Sequence, residues 1–148
     1  LSRWVKAIDP SRWVNGVTGW QDQNVSDIYD IHTYQELPLA PANQMDRAIV
    51  IGEYGGVGWP VTGHLWDAEK RNWGYQTYQN EADYQSALKK KMEALLPMVR
   101  DLGLSAAVYT QTTDVEGEVN GFMTYDRKQI KIRADALNEI NRRLIAAP

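Results

Sequence analysis

The stretch AIVIGEYGG, Ala48 to Gly56, sets narrow limits on the fold around it. Its apolar run, Ala-Ile-Val-Ile, shows no polar alternation, which marks a strand buried on both faces, as in a parallel sheet covered by helices. The run stops at a glycine, a carboxylate, an aromatic and two more glycines. By the two-residue period Glu53, Ile51 and Ile49 share one face, and Val50 and Gly52 share the other. Glu53 then stands at the carboxyl end of a buried strand, where parallel α/β folds keep their chemistry.

The rest of the chain alternates in a matching way. Leu1 to Ile8 reads as the end of a helix with Trp4, Val5 and Ile8 on one face, stopped at Asp9-Pro10 because proline cannot continue the ladder. Arg12–Val17, Asp27–Tyr34, Arg47–Ile51 and Leu104–Gln111 read as strands. The prolines of QELPLAP, Gln35 to Pro41, enforce irregular chain after the second of them. Gly55 to Tyr78, with Trp59, Trp66 and Trp73, is long for a loop in a compact domain, and such loops are usually functional. Asn80 caps a helix with Asp83 three residues on. Tyr84, Leu88, Met92, Leu95, Leu96 and Val99 recur along it at helical spacing, Pro97 kinks it and Gly103 ends it. Ala134 to Ile145 closes the chain as a helix with Leu137, Ile140, Leu144 and Ile145 on one side. Strands separated by helices predict an α/β domain over residues 1–148. About four parallel strands with covering helices are too few for a closed barrel, and the pattern is that of half a TIM (β/α)8 barrel. The link from Gly19 to Ser26 is short for a crossover, which normally needs a dozen residues or more.

A net charge of −3 gives no electrostatic footprint for nucleic acid. No apolar run approaches the ~20 residues of a membrane helix. Cysteine is absent, so neither a disulfide framework nor a thiolate metal site is possible. The chain opens on Leu1 rather than Met, which fits a processed or excised piece. Six Trp and eight Tyr stand against one Phe. Rings with a polar handle favour sites with one packed and one wet side, and such rings serve as platforms for sugars. The alternative is an abundance of core tryptophan.

Within DIYDIHTY, Asp27 to Tyr34, the side chains of Asp30, His32 and Tyr34 fall on one face. A tyrosine there can donate a hydrogen bond that keeps a carboxylate such as Glu53 ionised. Glu53 itself can serve as nucleophile or proton donor in glycoside hydrolysis, with nearby glycines letting a ring approach the backbone, or it can cap a loop or pair with an arginine. His32 and Trp59 are candidate substrate contacts, with a structural role as the alternative for His32. No third ligand is spaced to join Asp30 and His32 around a metal, and nothing calls for a cofactor.

Taken in order, DIYDIHTY, AIVIGEYGG and AAVYTQTTDVEGEVNGFMTYDR (Ala106 to Arg127) resemble the last strands of the catalytic barrel in glycoside hydrolase family 2, which includes β-galactosidases, β-mannosidases and β-glucuronidases. The resemblance covers nearly the whole chain. It implies retaining hydrolysis of a β-glycoside through a covalent glycosyl-enzyme, with Glu53 the nucleophile and Tyr34 beside it. Tyr109, Gln111 and Asp114 match the eighth strand and the loop beyond, which implies substrate contacts at Thr110 and Asp114. Thr110, however, stands where the family has a sugar-stacking tryptophan. A cis bond follows that tryptophan in related barrels, and with threonine in its place a trans bond between Thr110 and Gln111 is expected. The asparagine-x-lysine that grips a uronic carboxylate is not matched before Gly121, which disfavours glucuronides.

The family's acid/base glutamate ends the fourth barrel strand, which would precede Leu1. The expected function is therefore a fragment of a retaining, β-galactosidase-like hydrolase that carries the nucleophile and is inactive alone. Glu116 or Glu118 is a local substitute for the acid, with solvated loop carboxylates the plainer reading. The competing function is a noncatalytic carbohydrate-binding or assembly module on a degenerate half-barrel. Two open strand edges and an inner face bearing Ile49, Ile51, Ala106 and Val108 predict an inactive two-fold homodimer that closes toward eight strands.

Overall fold

The computed structural model describes residues 1–16, 19–35 and 46–147. Val17 of the first expected strand, and all of QELPLAP after Gln35, lie outside the described residues. The fold is mixed α/β: α1 (Ser2–Ile8), β1 (Ile28–Thr33), β2 (Ala48–Gly55), β3 (Val57–Gly58), β4 (Gln76–Thr77), α2 (Glu81–Glu93), α3 (Leu95–Leu102), β5 (Leu104–Thr110) and α4 (Ala134–Ile145). A parallel sheet of three strands, ordered β1-β2-β5, forms its centre, and β3 and β4 make a small parallel pair beside it.

Three strands rather than four is the first correction. Residues 12–16 form no strand. The Val14 carbonyl accepts from the Asp27 N–H at 3.0 Å and from the Ser26 hydroxyl at 2.9 Å, and the Val14 N–H donates to Asp27 Oδ2 at 2.8 Å. Two short polar side chains thus take over backbone groups that a ladder would otherwise use.

Asn80 caps α2 as expected, its Oδ1 accepting from the Asp83 N–H at 2.9 Å. Pro97 breaks the helix outright: its ring crowds the carbonyl four residues back, and α2 ends at that residue, Glu93. Gly103 terminates α3 in the left-handed conformation at φ 69°. The core lies between the sheet and α2, α3 and α4, and holds Ile49, Ile51, Tyr54, Tyr84, Leu88, Met92, Leu95, Met98, Leu104 and Ile140. Complete burial of a side chain such as Ile51 is worth ~1.5–3 kcal/mol. On α1, by contrast, Trp4, Val5 and Ile8 are exposed. Among the described residues no helix is long and apolar enough to cross a membrane.

The second correction concerns the faces of the sheet. Ile49 and Ile51 point into the helix-packed core, not to the side bearing Glu53. Strand β2 carries one residue too many at Gly52: Ile31 pairs with Ile51 but His32 pairs with Glu53, and on the other side Ile51 pairs with Ala107 but Tyr54 with Tyr109. A bulge of this kind reverses the alternation. After it Tyr54 enters the core and Glu53 emerges on the face opposite the helices. A second irregularity in β5, between Leu104 and Ala106, turns Ala106 and Val108 to that same face.

Candidate functional site

Strand β1 keeps a regular alternation. Tyr29 and Ile31 pack on the core, so Asp30, His32 and Tyr34 line the opposite face. Opposite them the bulge delivers Glu53. The Tyr34 hydroxyl donates to Glu53 Oε2 at 2.6 Å, and His32 Nδ1 lies 3.5 Å from the same oxygen. His32 Nε2 is 3.3 Å from Asp30 Oδ2. Asp30 is fixed in turn by the Gly52 N–H at 2.8 Å and the Asn15 side-chain amide at 2.9 Å. The bulged glycine therefore both shifts Glu53 and anchors the carboxylate behind His32. A side chain at position 52 would collide with Asp30.

Burial, followed by the bond to Glu53, holds the Tyr34 phenol well above its usual pKa. It remains an O–H donor at any neutral pH. Glu53 keeps 41% of its side chain exposed. A carboxylate supported from behind and open in front can reach an incoming electrophile.

Close to Glu53 a glycine admits rings of the protein itself. Gly56, at φ 67°, leaves room for Tyr34 and Tyr75, which a Cβ would meet at 2.9 and 2.7 Å. Tyr75 lies flat on Tyr34, with centroids 3.8 Å apart and planes at 2°. Trp73 meets Tyr75 edge-on at 5.7 Å. Thr110 pairs with Gly55 and places its hydroxyl beside that of Tyr34. The peptide from Thr110 to Gln111 is cis, not trans as expected.

Two expected substrate contacts, Asp114 and Trp59, pack against the protein interior. Asp114 is buried and bonds to Lys131 Nζ at 2.7 Å and to the Gly121 N–H at 2.8 Å. The Lys131 ammonium is fully buried and also donates to the carbonyls of Val119 at 2.9 Å and Trp59 at 3.2 Å. Burial raises the Asp114 pKa and lowers that of Lys131, while their mutual attraction opposes both shifts. Trp59 packs on Tyr84 at 5.6 Å, against the core. Glu118 accepts from the Asn120 amide at 2.9 Å, and Asn120 accepts from Gln111 at 3.1 Å. Burial first, and then the charges of Glu118 and Glu53, hold the Tyr75 phenol above its usual pKa.

Sequence reasoning missed Tyr75, Trp20 and Lys91. Lys91 of α2 donates to the carbonyls of Tyr34 and Gln35 at 2.8 and 2.6 Å, tying down the chain where β1 ends. Nothing in helical periodicity separates this lysine from its solvated neighbours. Tyr75 reaches the site because β4 runs beside β3, a pairing too short to leave a pattern. Among the described residues no group of three or more acidic or histidine side chains is placed to hold a metal. Compared with protein-family models and with curated protein sequences, the chain matches none.

Proposed function

We propose that the chain is part of a retaining glycoside hydrolase, the carboxyl-terminal half of a (β/α)8 catalytic barrel like that of glycoside hydrolase family 2, with Glu53 as nucleophile on a β-glycoside. The observation that carries the reading is the bond from the buried Tyr34 hydroxyl to Glu53, at the carboxyl end of a parallel strand. Glu53 attacks the anomeric carbon and displaces the glycosidic oxygen, and water later releases the sugar from the glycosyl ester. Tyr34 keeps one carboxylate oxygen engaged, and His32, backed by Asp30, borders the same oxygen. The resemblance assigns the proton donor to a strand ahead of β1. General acid catalysis contributes ~10²–10⁴ in rate, so the chain by itself is nearly inactive on ordinary glycosides.

The test does not depend on the proton donor. A 2-fluoro-glycoside with a dinitrophenolate leaving group needs no protonation, and mass spectrometry of peptic peptides reports the trapped ester. Label on Glu53, absent in Glu53→Gln, is the expected result. Label elsewhere, or none across the β-galactosyl, β-glucosyl and β-mannosyl reagents, overturns the reading. The second reading, a noncatalytic carbohydrate-binding or assembly module, is favoured by Thr110, which offers no ring for stacking. Saccharide binding without any trapping would decide for it.

A further inference from the structure

Beside Glu53 opens a cleft of about 770 Å³ lined by Trp20, Thr33, Tyr34, Gln35, Tyr75 and Gln76. Its size lies within the ~300–1,000 Å³ of small-molecule sites. Trp20 is 75% exposed, yet its position is built. The Gly19 carbonyl accepts from the His32 N–H at 3.0 Å, and a Cβ on Gly19 would run into the His32 ring. This close approach sets the Trp20 indole edge-on to His32 with centroids 6.0 Å apart. Across the cleft Tyr75 is half-exposed and held flat against Tyr34. Thr33, Gln35 and Gln76 add a hydroxyl and two amides to the lining, and among the described residues no charged side chain lines the cleft.

We propose that Trp20 is a sugar-stacking platform, and that the cleft between Trp20 and Tyr75 takes a second, neutral sugar of a β-linked oligosaccharide. The inference rests on Glu53 being the glycosidase nucleophile. Two amphipathic rings give apolar faces for the C–H surface of a pyranose, and the amides of Gln35 and Gln76 both donate and accept, as hydroxyls require. The described lining is uncharged and favours a neutral sugar over a phosphate, a uronate or an ammonium sugar. His32 stands between Trp20 and Glu53, so the sugar on Trp20 is not the one attacked. The substrate therefore extends beyond a single glycosyl unit.

Calorimetric titration of the chain with cellotriose, β-1,4-galactotriose and β-1,4-mannotriose, each against the methyl β-glycoside of its own sugar, tests this. At least one trisaccharide is expected to bind about tenfold tighter than its methyl glycoside. Trp20→Ala should bring that ratio near one, and Trp20→Phe should restore most of it. Circular dichroism and the thermal midpoint establish that the variants fold. A ratio near one for all three sugars, or a ratio unaltered by Trp20→Ala, overturns the inference. The 2-fluoro trap reports separately on the reading beneath. Labelled Glu53 with no Trp20 dependence removes only the second sugar, whereas Trp20-dependent binding with unlabelled Glu53 removes the hydrolase and leaves a binding cleft.

Discussion

Lys131 is the residue whose environment departs furthest from what its type suggests. Its ammonium is out of water, yet it satisfies a carboxylate and two carbonyls from three separate loop positions. Lys131→Met should cost ~3–5 kcal/mol, the range for removing one partner of a buried pair. Asp114→Asn should cost less, because the amide oxygen still accepts from Lys131 and Gly121. Urea denaturation of both variants checks the order, and a milder loss for Lys131→Met would refute it. The tyrosines give a second prediction. Burial, the first cause in each, holds the phenols of Tyr34, Tyr54, Tyr75, Tyr84 and Tyr109 above the usual range, with Tyr54 pushed up to about 12. A raised folded-state pKa contributes stability that is complete below the unfolded value of ~10 and is lost as pH rises through the folded values. Unfolding free energy should therefore fall from about pH 10 upward, with the five phenols ionising late in an absorbance titration. Eight tyrosines ionising together near pH 10 in a folded chain would contradict this.

Among the elements, two glycines in left-handed backbone separate conformational cost from packing cost. Gly103, at φ 69°, has nothing within 4 Å of where an added methyl group would sit, so Gly103→Ala should cost only the ~1–2 kcal/mol of the conformation itself. Gly56, at φ 67°, faces Tyr34 and Tyr75. Gly56→Ala should cost more and should also disturb the near-ultraviolet dichroism of the stacked rings. Equal thermal shifts for the two would show that the tyrosines give way freely. Helices α2 and α4 and strands β1, β2 and β5 were legible because local signals set them: the Asn80 cap, the Gly103 stop and the apolar runs. The meeting of Tyr34 with Glu53 was legible too, though half of its reasoning was misplaced. Alternation alone put Glu53 on the side of Ile49 and Ile51, and a bulge is silent in apolar periodicity. Asp114 and Lys131 were hidden because charged residues signal exposure, and only three-dimensional closure of the loops brings them together.

At the scale of the molecule, β1 and β5 are the edge strands of the sheet among the described residues, and Val108 on one of its faces remains 54% exposed. Such edges favour pairing with another chain, and the assembly expected from the sequence is a two-fold homodimer. Three strands from each copy do not add to the eight of a barrel, so the eight-strand closure expected of two copies does not follow. Light scattering over a concentration series should show association that Val108→Lys weakens, and a monomer throughout the micromolar range would refute it. The bulge at Gly52 has a further consequence for how such a sheet can change. It works as a phase slip in a repeating signal: before it, odd-numbered side chains feed the interior, and beyond it, even-numbered ones do. Loss of Gly52 would remove the slip and leave a plain alternation, Ile51 inward, Glu53 outward and Tyr54 inward against the same partners, but Asp30 would lose the N–H that anchors it. The extra residue thus serves Asp30, and through it His32, more than the direction of Glu53, and no side chain fits at position 52 without displacing Asp30.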